Sequence, residues 1–396
     1  MNVALVFDGL TIGGIERVGA AYARLLRQLG HEVTVINLIP AHGEFAGQFP
    51  PECPIHPIPF LKNWAPERIS HLVNDGFSHR LVYSAAYAVY TLRCRLLRIL
   101  WRSRYAALRE PFDIAVAFSG HFNDLTFVAD DFVRARHKVC WLHGALYQYM
   151  VISPGYINLY RKIKNLVCLS EQGDDDCAAH LRAVPLNKKK IYNPCAITAD
   201  AADPDKIEAL KAAHGDFCLM VGRLTGDKDQ DTVIRAMKVL REKYGLTKKL
   251  VLVGDGRRRQ ELEELSARLG MADNVVFEGA RMDVQNYYLA AHIYVHAAPL
   301  EGLPTVFLEA MAYDLPIAST DAVPGAREIL RDGECGLISP NADPEALANS
   351  IRRLYEDEAL RDRLLRKARD RLQDFAPDTV TRQLSAYLTE ITSDRG

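Results

Sequence analysis

The sequence lacks the marks of several broad classes of protein. Its 396 residues hold 49 lysines and arginines against 50 aspartates and glutamates, and a net charge of −1 excludes a strong overall attraction to nucleic acid. No run of about 18 uncharged apolar residues occurs, so we expect no membrane-spanning helix. The first apolar run is too short for a signal peptide and lacks its basic flank.

Cysteine patterns that bind zinc or form disulfides are also missing. None of the eight cysteines belongs to a Cys-x-x-Cys pair, and several lie inside apolar runs, as Cys140 does. We interpret them as reduced thiols, which are typical of cytoplasmic proteins. The hydrophobic fraction of 48% and the charged fraction of 25% are those of an ordinary globular protein, and the length favours two domains.

The chain instead shows short apolar runs that alternate with helical patterns. Ten runs are predicted to be strands: residues 3–7, 33–38, 114–118, 139–142, 166–169, 217–221, 250–253, 275–277, 293–296 and 317–319. Such runs suit parallel strands covered on both faces, and the helical segments between them indicate βαβ units. The series occurs twice, with a break near residues 192–196, after the basic run Lys188-Lys189-Lys190. We therefore predict an α/β fold of two doubly wound, Rossmann-like domains facing a central cleft, with ligands beyond the carboxyl ends of the strands.

In the first half, a glycine loop and two histidines follow predicted strands. Gly13 and Gly14 precede a helix, and paired glycines at a helix start let the backbone approach an anionic ligand. A tight strand–helix turn explains this loop equally well. His143, at the end of a later strand, can hydrogen-bond a substrate hydroxyl, although a lone histidine is more often structural. His121 shares that ambiguity.

In the second half, cations and glycines follow the strands. Arg223, in Gly222-Arg223-Leu224, and Lys228 offer a planar fork and a point charge, which suit a diphosphate; a solvated basic loop is the alternative. Gly254 follows the next strand and indicates either a phosphate or ribose loop or a plain turn. Arg281, after a further strand, is placed to flank a base.

The strongest motif lies after the strand at residues 293–296. It comprises Glu301, Gly302, Leu303, Pro304, Thr305 and, one helical turn later, Glu309. Proline is well placed where a helix opens, and the free N–H groups there can hold an anion. One carboxylate can address a sugar and the other a ribose diol, with phosphate between them. A capped helix with two solvated acids is the alternative for this segment alone.

Together these segments resemble glycosyltransferase family 4, a group of retaining enzymes with the two-domain GT-B fold. The matching pieces are Gly13-Gly14-Ile15-Glu16-Arg17-Val18, Gly222-Arg223-Leu224 with Lys228, Glu301 through Ala312, Arg327-Glu328-Ile329 and Asp332-Gly333 through Leu337. The resemblance covers the second half almost throughout, and the first half only at the glycine loop and around His143. Two departures are Pro324-Gly325, where many relatives have Gly-Gly, and Ala298, where serine is frequent.

The resemblance implies a role for each motif. Arg223 and Lys228 would hold the diphosphate of a sugar nucleotide, by default a UDP-sugar, and Glu309 would bind its ribose. Glu301 would lie near the transferred sugar, beside the backbone amides of 303–305, and His143 would contact the hydroxyls of that sugar. His143, Glu301, Arg223 and Lys228 form the predicted catalytic set.

The resemblance also implies the organisation and the reaction conditions. Gly13 and Gly14 would approach donor and acceptor in an acceptor-binding domain at 1–193, followed by a donor-binding domain at 194–376. A C-terminal helix in 377–396 would return to the first domain. The family works without a metal, so no cofactor is expected, and the sequence offers no convincing Asp-x-Asp metal site.

The segment at residues 80–109 is the least typical, with seven arginines and no acid. Taken as one helix, it places Arg95, Arg98, Arg102 and Arg109 on one face and Leu96, Leu97, Leu100, Trp101 and Leu108 roughly on the other. A basic amphipathic helix is typical of an anionic membrane surface, although Arg93 and Arg104 interrupt the apolar face. An ordinary helix over the N-terminal sheet is the alternative. We assign Arg95, Arg98, Trp101 and Arg102 to the acceptor or membrane.

The sequence thus predicts a retaining, metal-independent hexosyltransferase-type enzyme. Its acceptor would be a glycan or a lipid-linked sugar in polysaccharide, lipopolysaccharide or glycolipid synthesis. It would be cytoplasmic and peripheral on the inner face of the cytoplasmic membrane. The alternatives are a sugar-nucleotide epimerase of GT-B type, which would need no acceptor, and a non-catalytic sugar-binding protein.

Overall fold

The computed structural model describes residues 1–60, 77–143, 155–170, 186–195 and 202–393. The chain divides into two compact units: unit 1 joins Met1–Pro194 to Pro377–Gly396, and unit 2 is Cys195–Ala376. Each unit contains its own parallel sheet. The sequence prediction places the boundary at residues 193 and 194 and assigns the segment from residue 377 onward to a returning helix.

Unit 1 is built on a seven-stranded parallel sheet in the order β3-β2-β1-β4-β5-β6-β7. Its strands are β1 Asn2–Phe7, β2 Glu32–Asn37, β3 Ile55–Pro57, β4 Phe112–Ala117, β5 Ala135–Trp141, β6 Asn165–Cys168 and β7 Asn187–Lys190. The order reverses at β1, which pairs in parallel with both β2 and β4. In β1 the residues from Val3 to Phe7 are all buried, as expected for a strand covered on both faces.

In the described part of unit 1, the helices between these strands are α1 Gly14–Gln28, α2 Phe77–Arg104, α3 Phe122–Ala129 and α4 Gly155–Ile163. In α1, Val18, Tyr22 and Leu25 recur at helical spacing and are buried. The Tyr22 hydroxyl donates a hydrogen bond of 2.6 Å to the Tyr192 carbonyl, and its ring packs 4.4 Å from that of Trp141. The hydrogen bond thereby connects α1 to the segment that follows β7.

Unit 2 has a six-stranded parallel sheet in the order β10-β9-β8-β11-β13-β15 and a small parallel pair of β12 with β14. The strands are β8 Cys218–Val221, β9 Leu250–Val253, β10 Val275–Gly279, β11 Ile293–His296, β12 Leu300–Glu301, β13 Ile317–Thr320, β14 Val323–Pro324 and β15 Leu337–Ser339. The two sheets confirm the prediction of a doubly wound α/β fold in each half. All ten predicted strands are present.

The helices of unit 2 are α5 Pro204–His214, α6 Gln230–Tyr244, α7 Arg259–Arg268, α8 Val284–Ala290, α9 Thr305–Ala312, α10 Gly325–Leu330, α11 Pro344–Glu356 and α12 Glu358–Leu372. Asp203, Asp343 and Asp357 each cap a helix by accepting a hydrogen bond from a first-turn N–H. The chain then enters α13, Pro377–Ser393, which belongs to unit 1. There Glu390 forms an ion pair of 2.7 Å with Lys189 of β7.

Several strands escape the sequence prediction, and three of them, β3, β7 and β15, lie at edges of the two sheets. The run Lys188-Lys189-Lys190, which the sequence suggests is only a boundary marker, forms most of β7. Edge strands are short and often carry lysine, which prevents further strand pairing, so they lack the apolar run used for prediction. The small pair β12 and β14, of two residues each, is likewise absent from the prediction.

The predicted single helix over residues 80–109 is wrong at its end. The helix α2 stops at Arg104, because Tyr105 adopts an extended conformation, and a 3₁₀ turn at Ala106–Leu108 follows. Leu108 is completely buried and is not part of a helical face. Among the described residues, no helix is both long enough and apolar enough to cross a bilayer.

Candidate functional site

Three loops of unit 2 meet at the carboxyl edge of its sheet. They follow the neighbouring strands β9, β8 and β11, and parallel strands bring their carboxyl ends to one edge. Close backbone contact holds the first two loops together: the Leu224 N–H donates to the Asp255 carbonyl at 3.0 Å, and the Arg258 N–H donates to the Leu224 carbonyl at 3.1 Å.

Glycine is required for this contact at Gly254. Its φ of +145° favours glycine, and a Cβ there would lie 1.9 Å from the Gly222 carbonyl oxygen. The sequence predicts either a ligand-binding loop or a plain turn at Gly254. In the structure this loop has a packing role within the unit. The Gln230 side chain adds a hydrogen bond of 2.8 Å to the Arg223 carbonyl, which fixes the neighbouring loop.

The centre of the site is a contact between two residues that lie 73 positions apart. The Lys228 ammonium donates to the Glu301 carboxylate, and their side chains are only 18% and 16% exposed. The imidazole Nε2 of His296, at the end of β11, lies 3.5 Å from the same carboxylate. The structure therefore brings together the predicted residues Lys228 and Glu301. It also places His296 beside them, although the sequence predicts His296 only as the last residue of a strand.

Glu301 is a strongly stabilised carboxylate. Burial raises its pKa, but the nearby His296 imidazole and the charge of Lys228 outweigh burial and lower the pKa to about 2. Glu301 is therefore ionised at neutral pH and presents a fixed negative charge beside a lysine.

Pro324 and Gly325, the pair that departs from the family pattern in the sequence, pack against one side of the segment from Glu301 to Thr305. Glu301 pairs with Pro324 across β12 and β14. A Cβ on Gly325 would lie 2.5 Å from Pro304 Cδ and 2.9 Å from the carbonyls of Glu301 and Gly302. Gly325 thus permits the close packing that positions the start of α9, where Pro304 is the N-cap.

Glu309 lies one turn into α9 and accepts a hydrogen bond of 2.8 Å from the Tyr288 hydroxyl. Tyr294 of β11 is fully buried, and its pKa is raised well above the usual value by burial, with contributions from the charges of Glu309 and Glu301. Both predicted carboxylates thus act on one tyrosine. Leu303, between them, is buried.

Arg223 does not join this centre. Its side chain is 76% exposed, and its nearest charged partner is Asp227 at 3.9 Å. Asp227 also lies 3.9 Å from the Lys228 ammonium, so an acid stands between the two predicted phosphate-binding cations. Sequence reasoning missed Asp227 because it considered only the cations of the loop.

Arg281 is also apart from the centre. It follows β10, three strands from β11 in the sheet, which corresponds to about 14 Å at 4.8 Å per strand. Its guanidinium donates to Glu278 at 2.8 Å, and the Tyr287 hydroxyl donates to the same carboxylate at 2.7 Å.

In unit 1, Gly13, Gly14 and His143 follow β1 and β5. Gly13 is the N-cap of α1, and a Cβ on it would lie 2.5 Å from the Glu16 carboxylate. A Cβ on Gly14 would have no neighbour within 4 Å among the described residues. The His143 Nε2 lies 2.7 Å from the Phe118 carbonyl. Burial lowers its pKa to about 4, so the ring is neutral at pH 7 and this nitrogen donates.

A polar cluster that the sequence largely missed lies at the same edge of unit 1. His121 Nδ1 is 3.5 Å from the Asp8 carboxylate, which also accepts from Asn123 at 2.7 Å. Asp124 is completely buried and accepts from the backbone N–H groups of Gly120 and His121 at 2.8 Å. Burial raises the Asp124 pKa to about 7. The spacing of His121 and Asp124 at a helix start is the sequence signal that could have revealed it.

The predicted acceptor or membrane residues Arg95, Arg98 and Arg102 lie elsewhere in unit 1. With Arg134 and Arg136 they line a cleft at the start of β4 and β5, which is the edge of the sheet opposite His143. Trp101 packs against the core beneath α2.

Comparison with protein families shows that residues 203–371 match the family described as glycosyl transferases group 1. The chain is 27% identical to a Campylobacter jejuni α-1,4-N-acetyl-D-galactosaminyltransferase that acts on a diphospho-undecaprenol-linked sugar, over 61% of this chain and 65% of the relative. It is 31% identical to the lipopolysaccharide core biosynthesis glycosyltransferase LpsE of Rhizobium meliloti, over 49% of this chain and 54% of the relative. The chain thus spans less than two thirds of the length of these curated relatives.

Solved structures resemble almost the whole chain. Anabaena HepE in complex with UDP-glucose superposes with a TM-score of 0.73 at 20% identity, covering 98% of this chain and all of HepE. A glycosyltransferase from Rickettsia africae gives a TM-score of 0.72 at 17% identity, covering 99% of each chain. In fold, therefore, this chain consists of two Rossmann-like domains of the GT-B type, and most of its second unit matches glycosyl transferases group 1.

Proposed function

We propose that this protein is a retaining glycosyltransferase of family 4 that transfers a sugar from a UDP-sugar to a glycan or lipid-linked acceptor without a metal ion. The observation that carries the proposal is the half-buried contact between Lys228 and Glu301 at the start of α9. A lysine and an acid of this kind, beside free helix N–H groups, suit a sugar joined to a diphosphate.

The leaving group is the nucleoside diphosphate. As the bond between the sugar C1 and the phosphate oxygen breaks, charge develops on that oxygen. The Lys228 ammonium and the first N–H groups of α9 stabilise this charge. The exposed guanidinium of Arg223 offers a second cation at the same loop.

The two carboxylates have different tasks. Glu309, oriented by the Tyr288 hydroxyl, accepts hydrogen bonds from the ribose hydroxyls. Glu301 stays ionised because of Lys228 and His296, and its fixed charge favours the positive character that develops at C1 of the sugar.

The retaining course follows from the resemblance to family 4. The acceptor hydroxyl attacks C1 from the face that the diphosphate leaves, and its proton passes to the departing phosphate oxygen. His143, whose Nε2–H is taken by the Phe118 carbonyl, offers Nδ1 as an acceptor for a sugar hydroxyl.

The relatives support the donor and acceptor classes. HepE has been solved with UDP-glucose, and the Campylobacter enzyme is named for a lipid-diphosphate-linked acceptor. We extend both to this chain, and with them a cytoplasmic position at the inner face of the cytoplasmic membrane in polysaccharide, lipopolysaccharide or glycolipid synthesis.

Donor binding tests the proposal most directly. UDP, GDP and ADP and their sugars should be compared by thermal shift, since a ligand that binds the folded state raises its melting temperature. UDP compounds are expected to stabilise the native chain, and Lys228→Ala and Glu309→Ala should each abolish most of that shift. Lys238→Ala, on the surface of α6, is the matched control. Equal shifts in all four proteins would refute the site.

Turnover then decides the reaction. A transferase releases UDP in proportion to a sugar acceptor, and the product of a retaining enzyme keeps the anomeric configuration of the donor, which proton NMR of the product measures. An inverted product would refute the retaining course. Conversion of the donor sugar without any acceptor would instead show an epimerase, and binding without turnover a sugar-binding protein.

A further inference from the structure

An arginine-lined cleft of about 650 Å³ lies on unit 1, at the amino ends of β4 and β5. Its charged lining consists of Arg95, Arg98, Arg102, Arg134, Arg136 and Asp131. The six residues of β4 separate this edge from the edge with His143 by about 20 Å at 3.3 Å per residue. The cleft is therefore distinct from the candidate site at the carboxyl ends of the strands.

Among the described residues, acids compensate only part of the positive charge of the cleft: Arg136 lies 3.8 Å from the Asp113 carboxylate. The Arg98 guanidinium donates to the Asp130 carbonyl at 3.0 Å, and those of Arg102 and Arg134 donate to backbone carbonyls as well. These contacts position the guanidinium groups without neutralising them. The carboxylate of Asp131 already pairs with Lys138 at 2.8 Å. The lining thus holds several cations that an anion can satisfy.

An exposed apolar stripe runs along α2 beside the cleft. Val89, Leu92, Leu96, Ile99 and Leu100 are between 59% and 68% exposed. At about 100° per residue they fall within one arc of the helix. On the opposite side, Leu97 and Trp101 pack against the core. The helix therefore presents one apolar face to the core and a second one outward.

Arginines border this outward stripe on both sides. By helical geometry Arg95 and Arg102 lie along one side, and Arg93 and Arg104 along the other. The two arginines that interrupt the predicted apolar face are therefore flanking residues. Ile99 belongs to both features, since it is part of the stripe and also lines the cleft.

We propose that the cleft binds the phosphate of an anionic membrane lipid, while the outward stripe of α2 enters the boundary between headgroups and acyl chains. Charge complementarity selects a phosphate in the cleft, and the adjoining apolar surface selects a lipid over a free phosphate ion. The proposal goes beyond the donor chemistry, because the residues that carry it lie at the opposite edge of the sheet.

Vesicle sedimentation of the full chain tests this binding. The native protein should pellet with vesicles of equal parts phosphatidylglycerol and phosphatidylcholine, and much less with phosphatidylcholine alone. Arg95→Ala combined with Arg136→Ala removes two exposed cleft arginines. It should weaken partitioning roughly twenty-fivefold, since each arginine near an anionic surface contributes about a fivefold factor.

The matched control is Arg363→Ala with Arg366→Ala, which removes the same charge from the exposed side of α12 in unit 2. It should pellet like the native protein. Equal partitioning of the cleft variant and this control, or equal binding of the native protein to both kinds of vesicle, would overturn the proposal.

A second comparison separates lipid phosphate from free phosphate. Leu96→Ser with Leu100→Ser changes only exposed side chains, so folding should be kept while vesicle binding falls severalfold. Inorganic phosphate at millimolar concentration should not release the native protein from the vesicles. If calorimetry showed inorganic phosphate filling the cleft while the native protein stayed in the supernatant with every vesicle, the lipid assignment would be wrong. The lipid cleft deepens the proposed membrane position. The UDP thermal shift does not involve this cleft, so the donor site and the lipid cleft can each fail alone.

Discussion

Replacing Lys228 with methionine should reveal two separate roles of this lysine. In the unliganded protein it neutralises Glu301, whose pKa lies at about 2 against an ordinary value of 4.5. A difference of that size corresponds to roughly 3 kcal/mol in favour of the ionised form, at about 1.36 kcal/mol per unit. His296 contributes part of it, so Lys228→Met should lower the free energy of unfolding at pH 7 by about 1–2 kcal/mol.

The sign of the pH dependence follows from the lowered pKa. The folded state stabilises the carboxylate, so this contribution is fully present above pH 4.5 and is lost as the pH falls toward 2. The melting temperature of Lys228→Met should therefore differ from that of the native protein at pH 7 and approach it as the pH is lowered.

The second role concerns the donor. A hydrogen bond from a charged group contributes about 1.5–3 kcal/mol, so losing it should weaken UDP binding by roughly 10-fold to 150-fold. Isothermal calorimetry with UDP measures this change. Adding Glu301→Gln to Lys228→Met removes the uncompensated buried carboxylate, so the double variant should regain stability but not affinity.

Lys238→Met is the control, because Lys238 lies on α6 with its ammonium 3.8 Å from Glu242 and should change neither quantity. UDP affinity in Lys228→Met equal to that of the native protein would refute the diphosphate role. A double variant as unstable as Lys228→Met would refute the energetic coupling of the pair.

Two further variants test the structural reasoning around the sites. Gly254→Ala should lower the melting temperature by several degrees, since its φ of +145° and the 1.9 Å approach to the Gly222 carbonyl both oppose a Cβ. Gly226→Ala is the control and should change the melting temperature little, because its Cβ would lie 4.0 Å from Arg258. Equal effects of the two variants would contradict this interpretation. Asp124→Asn should flatten the pH dependence of thermal stability. The folded pKa of about 7 exceeds the ordinary 3.8, so the native protein loses stability from this group as the pH rises from about 4 to 7. An unchanged slope in melting scans across that range would show that Asp124 does not titrate there.

Much of the fold follows from local patterns in the sequence. Central parallel strands must be apolar on both faces, so runs such as Leu250–Val253 and Ile293–His296 are recognisable without knowledge of their neighbours. Edge strands have water on one side and follow no such rule, which is why β7 remained hidden in a run of lysines.

For the candidate site, residue type and position after strands made Lys228, Glu301 and Glu309 candidates, and the resemblance to family 4 supplied their predicted roles. The sequence could not show that Lys228 contacts Glu301 or that His296 lies beside them, because these contacts join residues far apart in the chain. It also grouped Arg223 with Lys228, although Arg223 is exposed and Asp227 lies between their charges.

The arginine-rich helix shows the same division. Composition alone determined that residues 80–109 are basic and interleaved with apolar side chains. Only the tertiary structure decided that Leu97 and Trp101 face the core while Leu96 and Leu100 face outward, because a helical pattern does not say which apolar side the sheet covers. The sequence by itself thus determined the ten apolar strands, their succession along the chain and which charged residues follow them. Packing decided which of these charges meet and which surfaces stay exposed, since both depend on long-range contacts that no local pattern contains.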